Sequence, residues 1–151
     1  MREQTLNIND VDATSRPVIY TCYGLGSCIA LFVTDRIRGL SGGAHIPLPC
    51  SLESSEFLDA TSMIEALLSS FSTKGSNLKS LCAKVTGGAQ VYTSSMNIGK
   101  LNTSIVFQEL LKRKIFIAGA DVGGNVSRTA RFNSLSRVVQ ISTSDQKRYC
   151  I

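Results

Sequence analysis

Apolar positions recur along this chain in two rhythms. Residues 18–22 (Val18-Ile19-Tyr20-Thr21-Cys22), 29–33 and 40–46 are short apolar or β-branched runs that read as strands, the third interrupted by Gly42-Gly43 and ended by Pro47 and Pro49. Glycine inside a strand marks a bulge or a close backbone approach, and the mouth of a site would account for both. Between about 55 and 74 the rhythm becomes helical, with Leu58, Ile64, Leu67, Leu68 and Phe71 at the apolar positions, serines available as an N-cap and Gly75 as a stop. Residues 78–85 return to strand character and run into Gly87-Gly88. A second helix is predicted over about 99–113, with Leu101, Ile105, Val106, Leu110 and Leu111 on one side and Lys112-Arg113-Lys114 at the end where the helix dipole favours cations. Residues 115–118 form a short strand and 121–125 a turn. Residues 126–132 and 137–142 flank Asn133-Ser134-Leu135-Ser136 as a hairpin.

Strands outnumber helices and several are joined locally, so the pattern predicts an α+β sandwich rather than a doubly wound parallel sheet. The polar, aperiodic residues 1–16 are expected to be a loose arm or an edge segment, 17–142 the domain, and 143–151 a polar C-terminal tail, disordered or exposed.

Composition narrows the chemistry. The chain has 151 residues, 43% of them hydrophobic, enough for one domain with a proper core. No apolar run reaches the roughly 18 residues of a membrane span, and Arg2, Glu3, Asp10 and Asp12 break any signal-peptide core, so a cytoplasmic location without membrane insertion is expected. Sixteen Lys and Arg against eleven Asp and Glu give a net charge of +5, which favours an acidic partner surface. The basic residues are scattered without aromatic interleaving, which argues against a nucleic-acid groove. Five cysteines (Cys22, Cys28, Cys50, Cys82, Cys150) without a C-x-x-C pair, and one histidine, argue against a disulfide framework and against a metal site.

The remaining use for a cysteine is packing or nucleophilic chemistry. Cys22 and Cys82 sit in apolar stretches and fit packing. Cys28 follows Gly24-Leu25-Gly26-Ser27, and the single histidine, His45, lies downstream. If 28–34 and 39–45 pair around a loop at 35–38, antiparallel partners have numbers summing to 73 and Cys28 lies opposite His45, with Cβ atoms about 4.5–5.5 Å apart. An imidazole that removes the thiol proton makes the thiolate that attacks a carbonyl, and the imidazolium then protonates the leaving amine. The turn would leave the N–H groups of Ser27 and Cys28 free to meet the developing oxyanion. On these residues alone a plain alternative is equally open: Gly24 and Gly26 form a tight turn, Cys28 is a small core residue, and His45 is a satisfied strand histidine.

With these residues placed, the chain resembles the chemoreceptor glutamine deamidases, the CheD family of bacterial chemotaxis, over roughly residues 18–142. The blocks that carry the likeness are Gly24-Leu25-Gly26-Ser27-Cys28; Gly42-Gly43-Ala44-His45 followed by Leu48-Pro49; and Ala83-Lys84-Val85 with Gly87-Gly88-Ala89. Two more follow: Asn97-Ile98-Gly99 with Asn102, and Asp121-Val122-Gly123-Gly124 with Arg128 and Phe132. The resemblance implies hydrolysis of glutamine side-chain amides on methyl-accepting receptors, with Cys28 as nucleophile and His45 as acid and base, Gly26 and Ser27 in the oxyanion turn, and no metal or organic cofactor. It also implies a three-layer α/β/β sandwich with mostly antiparallel or mixed sheets and two main helices on one side, similar to the catalytic domain of glutamine-deamidating bacterial toxins. The implied partners are a chemoreceptor cytoplasmic domain and a CheC-type phosphatase, which some members bind.

One position departs from the family pattern. Where the family has a third catalytic residue, a threonine two places before the G-L-G-S-C block, this chain has Cys22; Thr21 lies one place earlier and would face the opposite side of a strand. Cys22 is a poor hydrogen-bond partner, so orientation of His45 falls to Cys22, to a backbone carbonyl or to another hydroxyl. A non-catalytic adaptor of the same fold is the competing reading.

Overall fold

The computed structural model describes residues 1–51 and 55–151. Its core is organised by β4 (Ile29–Asp35), every residue of which is buried. Successive side chains on a strand point to opposite faces. Ile29, Leu31 and Val33 therefore enter one apolar cluster with the helices, while Ala30 and Phe32 enter a second one between the sheets. On either side of β4 lie β5 (Leu40–Ile46) and β6 (Leu81–Gly87), both antiparallel to it. The central sheet is completed by β2 (Val11–Thr14) beside β5 and β7 (Phe116–Val122), parallel to β6. The outer sheet runs β1 (Arg2–Thr5), β3 (Val18–Leu25), β8 (Arg128–Asn133), β9 (Val139–Thr143), β10 (Arg148–Cys150), with only the β1–β3 pair parallel. Both helices cover the far face of the central sheet, so the protein is an α+β three-layer α/β/β sandwich with mixed sheets, as expected.

Helix α1 (Ala60–Thr73) starts later than its apolar pattern suggests, because Asp59 rather than a serine caps it: its carboxylate accepts the Ser62 N–H at 2.8 Å. Ala60, Met63, Ile64, Leu67, Leu68 and Phe71 are buried, Leu58 lies outside the helix and is half exposed, and Gly75 (φ 90°) ends the segment. Helix α2 (Ile98–Lys112), capped by Asn97, departs more. It buries Gly99, Asn102, Val106, Glu109 and Leu110, while Leu101 and Leu111 face solvent. The expected apolar side is thus replaced by a stripe containing two polar residues, each with a structural bond: Glu109 pairs with Arg113, and Asn102 reaches the loops beside β4.

At the chain ends, the N-terminal segment takes the edge alternative and the C-terminal tail is more ordered than its composition suggests. Residues 1–16 supply an edge strand to each sheet, with fully buried Leu6 at the crossing. The polar tail is a strand: β10 pairs with β9, Ile151 and Val139 exchange backbone hydrogen bonds at 2.9 and 3.0 Å, and the Tyr149 hydroxyl donates to Asp121 at 2.6 Å. Its composition hid this because on an edge strand Arg148 and Cys150 face solvent while only Tyr149 and Ile151 pack inward. Among the described residues, no helix is long and apolar enough to cross a membrane.

The two glycines in β5 serve packing rather than a site mouth. A Cβ at Gly42 would lie 2.8 Å from Phe71, 2.9 Å from Leu67 and 2.8 Å from the Asp12 carbonyl; one at Gly43 would lie 2.7 Å from Leu6 and 3.1 Å from Phe32. Gly42 brings α1 against the sheet, and Gly43 admits Leu6 between the layers. A Gly42→Ala protein is expected to lose about 1–3 kcal/mol of stability through overpacking, read as a lower urea midpoint at an unchanged m-value; an unchanged midpoint would refute this packing role.

Candidate active site

The β4–β5 hairpin pairs in a register two residues away from the expected one. Ile29 lies opposite Ile46 and Ala30 opposite His45, because the loop is Arg36-Ile37-Arg38-Gly39 rather than residues 35–38. Asp35 stays in the strand and its carboxylate accepts the N–H groups of Ile37 (3.0 Å) and Arg38 (3.2 Å), while Gly39 takes the left-handed conformation (φ 66°). Cys28 is therefore not opposite His45. A two-residue slip preserves the face, however, so Cys28, Ala30 and His45 all point between the sheets. Cys28 and His45 are diagonal neighbours, a relation with Cβ atoms about 7–8 Å apart, a gap that imidazole and thiol side chains can span together.

Cys28 forms part of the wall of a cleft of about 530 Å³, shared with Gly24, Gly26, Ser27, Gln90, Val91, Tyr92, Met96 and Ile98. His45, 3% exposed, is not part of that wall. Its Nδ1 lies 2.9 Å from the carbonyl oxygen of Leu6. A carbonyl can only accept, so Nδ1 carries the proton and Nε2 keeps its lone pair. Nε2 is buried and has no hydrogen-bond partner among the described residues. Burial lowers the pKa of His45, opposed by the Leu6 carbonyl and by Asp10, and burial raises that of the Cys28 thiol. Its own backbone N–H opposes the shift at Cys28, but both net shifts favour the uncharged forms, a thiol and an imidazole.

Neither proposed third residue orients the ring. Cys22 is fully buried in the inter-sheet cluster, its thiol pushed up by burial and by the nearness of Cys28. The β3–β8 register breaks only after Cys22, so no bulge turns Thr21 toward the site. Thr21 contributes through its backbone: its carbonyl accepts the Leu6 N–H at 2.8 Å, and Leu6 in turn accepts from His45. The N-terminal segment, expected to be a loose arm or an edge segment, thus supplies the group that sets the histidine tautomer. No side-chain pattern could announce a backbone carbonyl; the signal present was one apolar residue, Leu6, in a polar stretch.

The cysteine turn is held from both sides. The carbonyls of Gly26 and Cys28 accept the N–H groups of Ala89 and Gly88, each at 2.8 Å, and the Ser27 carbonyl accepts from Asn102 at 2.8 Å. No backbone carbonyl among the described residues takes the N–H of Ser27 or Cys28. Gly87 (φ 109°) lies so close that a Cβ there would come within 2.2 Å of the Cys28 carbonyl oxygen, which excludes any side chain. Behind this hairpin the Gly123 N–H donates to Gly87 (2.9 Å) and the Gln90 N–H to Gly124 (2.9 Å), while Arg128, paired with Asp121 at 2.9 Å, is buried beneath. Sequence blocks far apart in the chain therefore converge on one turn. Among the described residues no three His, Cys, Asp or Glu side chains cluster as a metal site.

This fold and site define an α+β sandwich that presents one thiol in a cleft with a buried imidazole behind it. Residues 53–143 match the family described as CheD chemotactic sensory transduction. The chain is 31% identical to a probable chemoreceptor glutamine deamidase CheD of Clostridium tetani over 95% of its own length and 92% of the relative's. It is 37% identical to a protein of that name from Caldanaerobacter subterraneus (89% and 90%), and 33% identical to the chemoreceptor glutamine deamidase CheD of Halalkalibacterium halodurans (91% and 91%). The chain belongs to the CheD family.

The two shifts make a prediction for the free protein. The alkylation rate of Cys28 by iodoacetamide should rise with pH and reach half its maximum above the usual thiol value of about 8.5, since the raised pKa leaves less thiolate at any given pH. His45→Ala should leave this profile in place. A plateau already reached near neutral pH, lost in His45→Ala, would mean a preformed ion pair instead.

Proposed function

We propose that this protein hydrolyses the side-chain amide of selected glutamines on methyl-accepting chemoreceptors, giving glutamate and ammonia, with Cys28 as nucleophile and His45 as acid and base. The observation that carries this reading is the pairing of a cleft-wall thiol with a buried imidazole on the same face, whose Nε2 is left as an acceptor by the Leu6 carbonyl. The relatives' names supply the substrate class.

The steps follow from the neutral pair. As the glutamine side chain enters the cleft and displaces water, Cys28 Sγ adds to the amide carbon while its proton passes to His45 Nε2. The carbonyl electron pair moves to oxygen, and the N–H groups of Ser27 and Cys28 receive that charge. The tetrahedral species collapses as imidazolium protonates the leaving nitrogen, releasing ammonia and leaving a thioester. Water, deprotonated by His45, then attacks the thioester; the carbon–sulfur bond breaks, the proton returns to sulfur, and glutamate leaves. Val91, Tyr92 and Met96, substantially exposed around the cleft, supply apolar contact to the polypeptide that carries the glutamine, and the net positive charge favours acidic receptor helices.

Cys28→Ala and His45→Ala proteins are expected to release no ammonia from receptor cytoplasmic fragments, whereas the wild type should convert target glutamines, detected by mass spectrometry as amide-to-acid conversion. The acid limb of kcat/KM should fall below the ordinary imidazole value of about 6.5, because burial lowers the pKa of His45. Unaltered fragments after incubation with wild-type protein would instead support the adaptor reading, in which the same fold docks a receptor or a CheC-type phosphatase without chemistry.

A further inference from the structure

Asn102 is a fully buried polar residue on the face of α2 that also buries Gly99, Val106 and Leu110. Its Nδ2 donates to the Ser27 carbonyl at 2.8 Å and to the Pro47 carbonyl at 3.1 Å. Both partners are carbonyl oxygens, so the amide orientation is settled: the nitrogen faces them, and Oδ1 is left buried with no partner among the described residues. An unpartnered buried acceptor is costly. The fold carries that cost in order to place two donors at this point.

What the donors hold is specific. Ser27 immediately precedes Cys28, and Pro47 lies two residues past His45, just beyond the end of β5. One side chain thus spans the two segments that carry the thiol and the imidazole. A trans peptide is planar, with its C=O and N–H pointing opposite ways. Fixing the Ser27 carbonyl on Asn102 therefore fixes the direction of the Cys28 N–H at the other end of the same peptide plane. The Gly26 carbonyl, held by the Ala89 N–H, fixes the Ser27 N–H in the same manner. We infer that Asn102 is a positioning residue that aims the Cys28 N–H as an oxyanion donor and locks the turn carrying Cys28 to the segment that follows His45. This rests on the deamidase reading above.

The test separates aiming from folding. Asn102→Ala, and Asn102→Ser as a smaller change that keeps one donor, are compared with wild type, with active molecules counted by iodoacetamide labelling of Cys28. Alkylation builds no oxyanion, so its rate per site should be unchanged. Ammonia release should show kcat lower on the order of 100-fold in Asn102→Ala with KM little changed, the effect of a misplaced transition-state contact, and Asn102→Ser should fall between. A peptide aldehyde bearing the glutamate semialdehyde side chain gives an independent reading. Addition of the Cys28 S–H across its C=O forms a hemithioacetal whose oxygen occupies the oxyanion position, and its affinity should drop by a similar factor. Loss of thermal stability with per-site kcat and aldehyde affinity intact would overturn the inference and leave Asn102 a structural residue. Wild-type protein that released no ammonia, yet bound the aldehyde in an Asn102-dependent way, would remove the deamidase reading and keep the positioning role.

Discussion

The burial of β4 on both faces is the constraint from which the rest follows. A strand covered by helices on one side and by a sheet on the other can hold almost nothing but apolar side chains, and its pleat assigns them alternately to the two layers. A thiol placed on such a strand would be sealed. Cys28 escapes by standing one residue before the strand begins, so that it keeps the direction of Ala30 and Phe32 while its edge reaches the cleft. His45, opposite Ala30, remains inside. The proposed dyad is thus split across the boundary of the core, with the thiol in the wall and the imidazole behind it.

Backbone groups, more than side chains, define this site. Three consecutive carbonyls, Gly26, Ser27 and Cys28, are tied down, and the histidine is oriented by a fourth, that of Leu6. Backbone positions tolerate side-chain replacement as long as the chain path is kept. The bond to His45 runs through the crossing segment between β1 and β2, whose position depends on Gly43 admitting Leu6, so it needs no particular side chain at Cys22.

The layers, the strands at 18–25, 29–35 and 40–46, and both helices were legible because their apolar periodicity is strong and their stops are glycines and prolines. Legibility failed in three kinds of place. Hairpin register was displaced by two residues because the Asp35 carboxylate, by capping its own loop, lengthens the ladder. The face of α2 was misjudged because Asn102 and Glu109 are buried for their hydrogen bonds rather than their hydrophobicity. The strands at both termini were not individually legible because edge strands bury only every second residue, too weak a rhythm over three or four positions. The candidate residues Cys28 and His45 stood out by type and rarity, but the backbone groups that hold them did not.

The raised pKa of Cys28 has a consequence outside the proposed reaction. Peroxide and other electrophiles attack thiolates, not thiols, and the first products of that attack on a cysteine lead toward irreversible acids. The burial that raises the pKa of Cys28, the proposed nucleophile, leaves less of it as thiolate open to such attack. The desolvation that slows the free thiol thus lengthens the working life of each molecule.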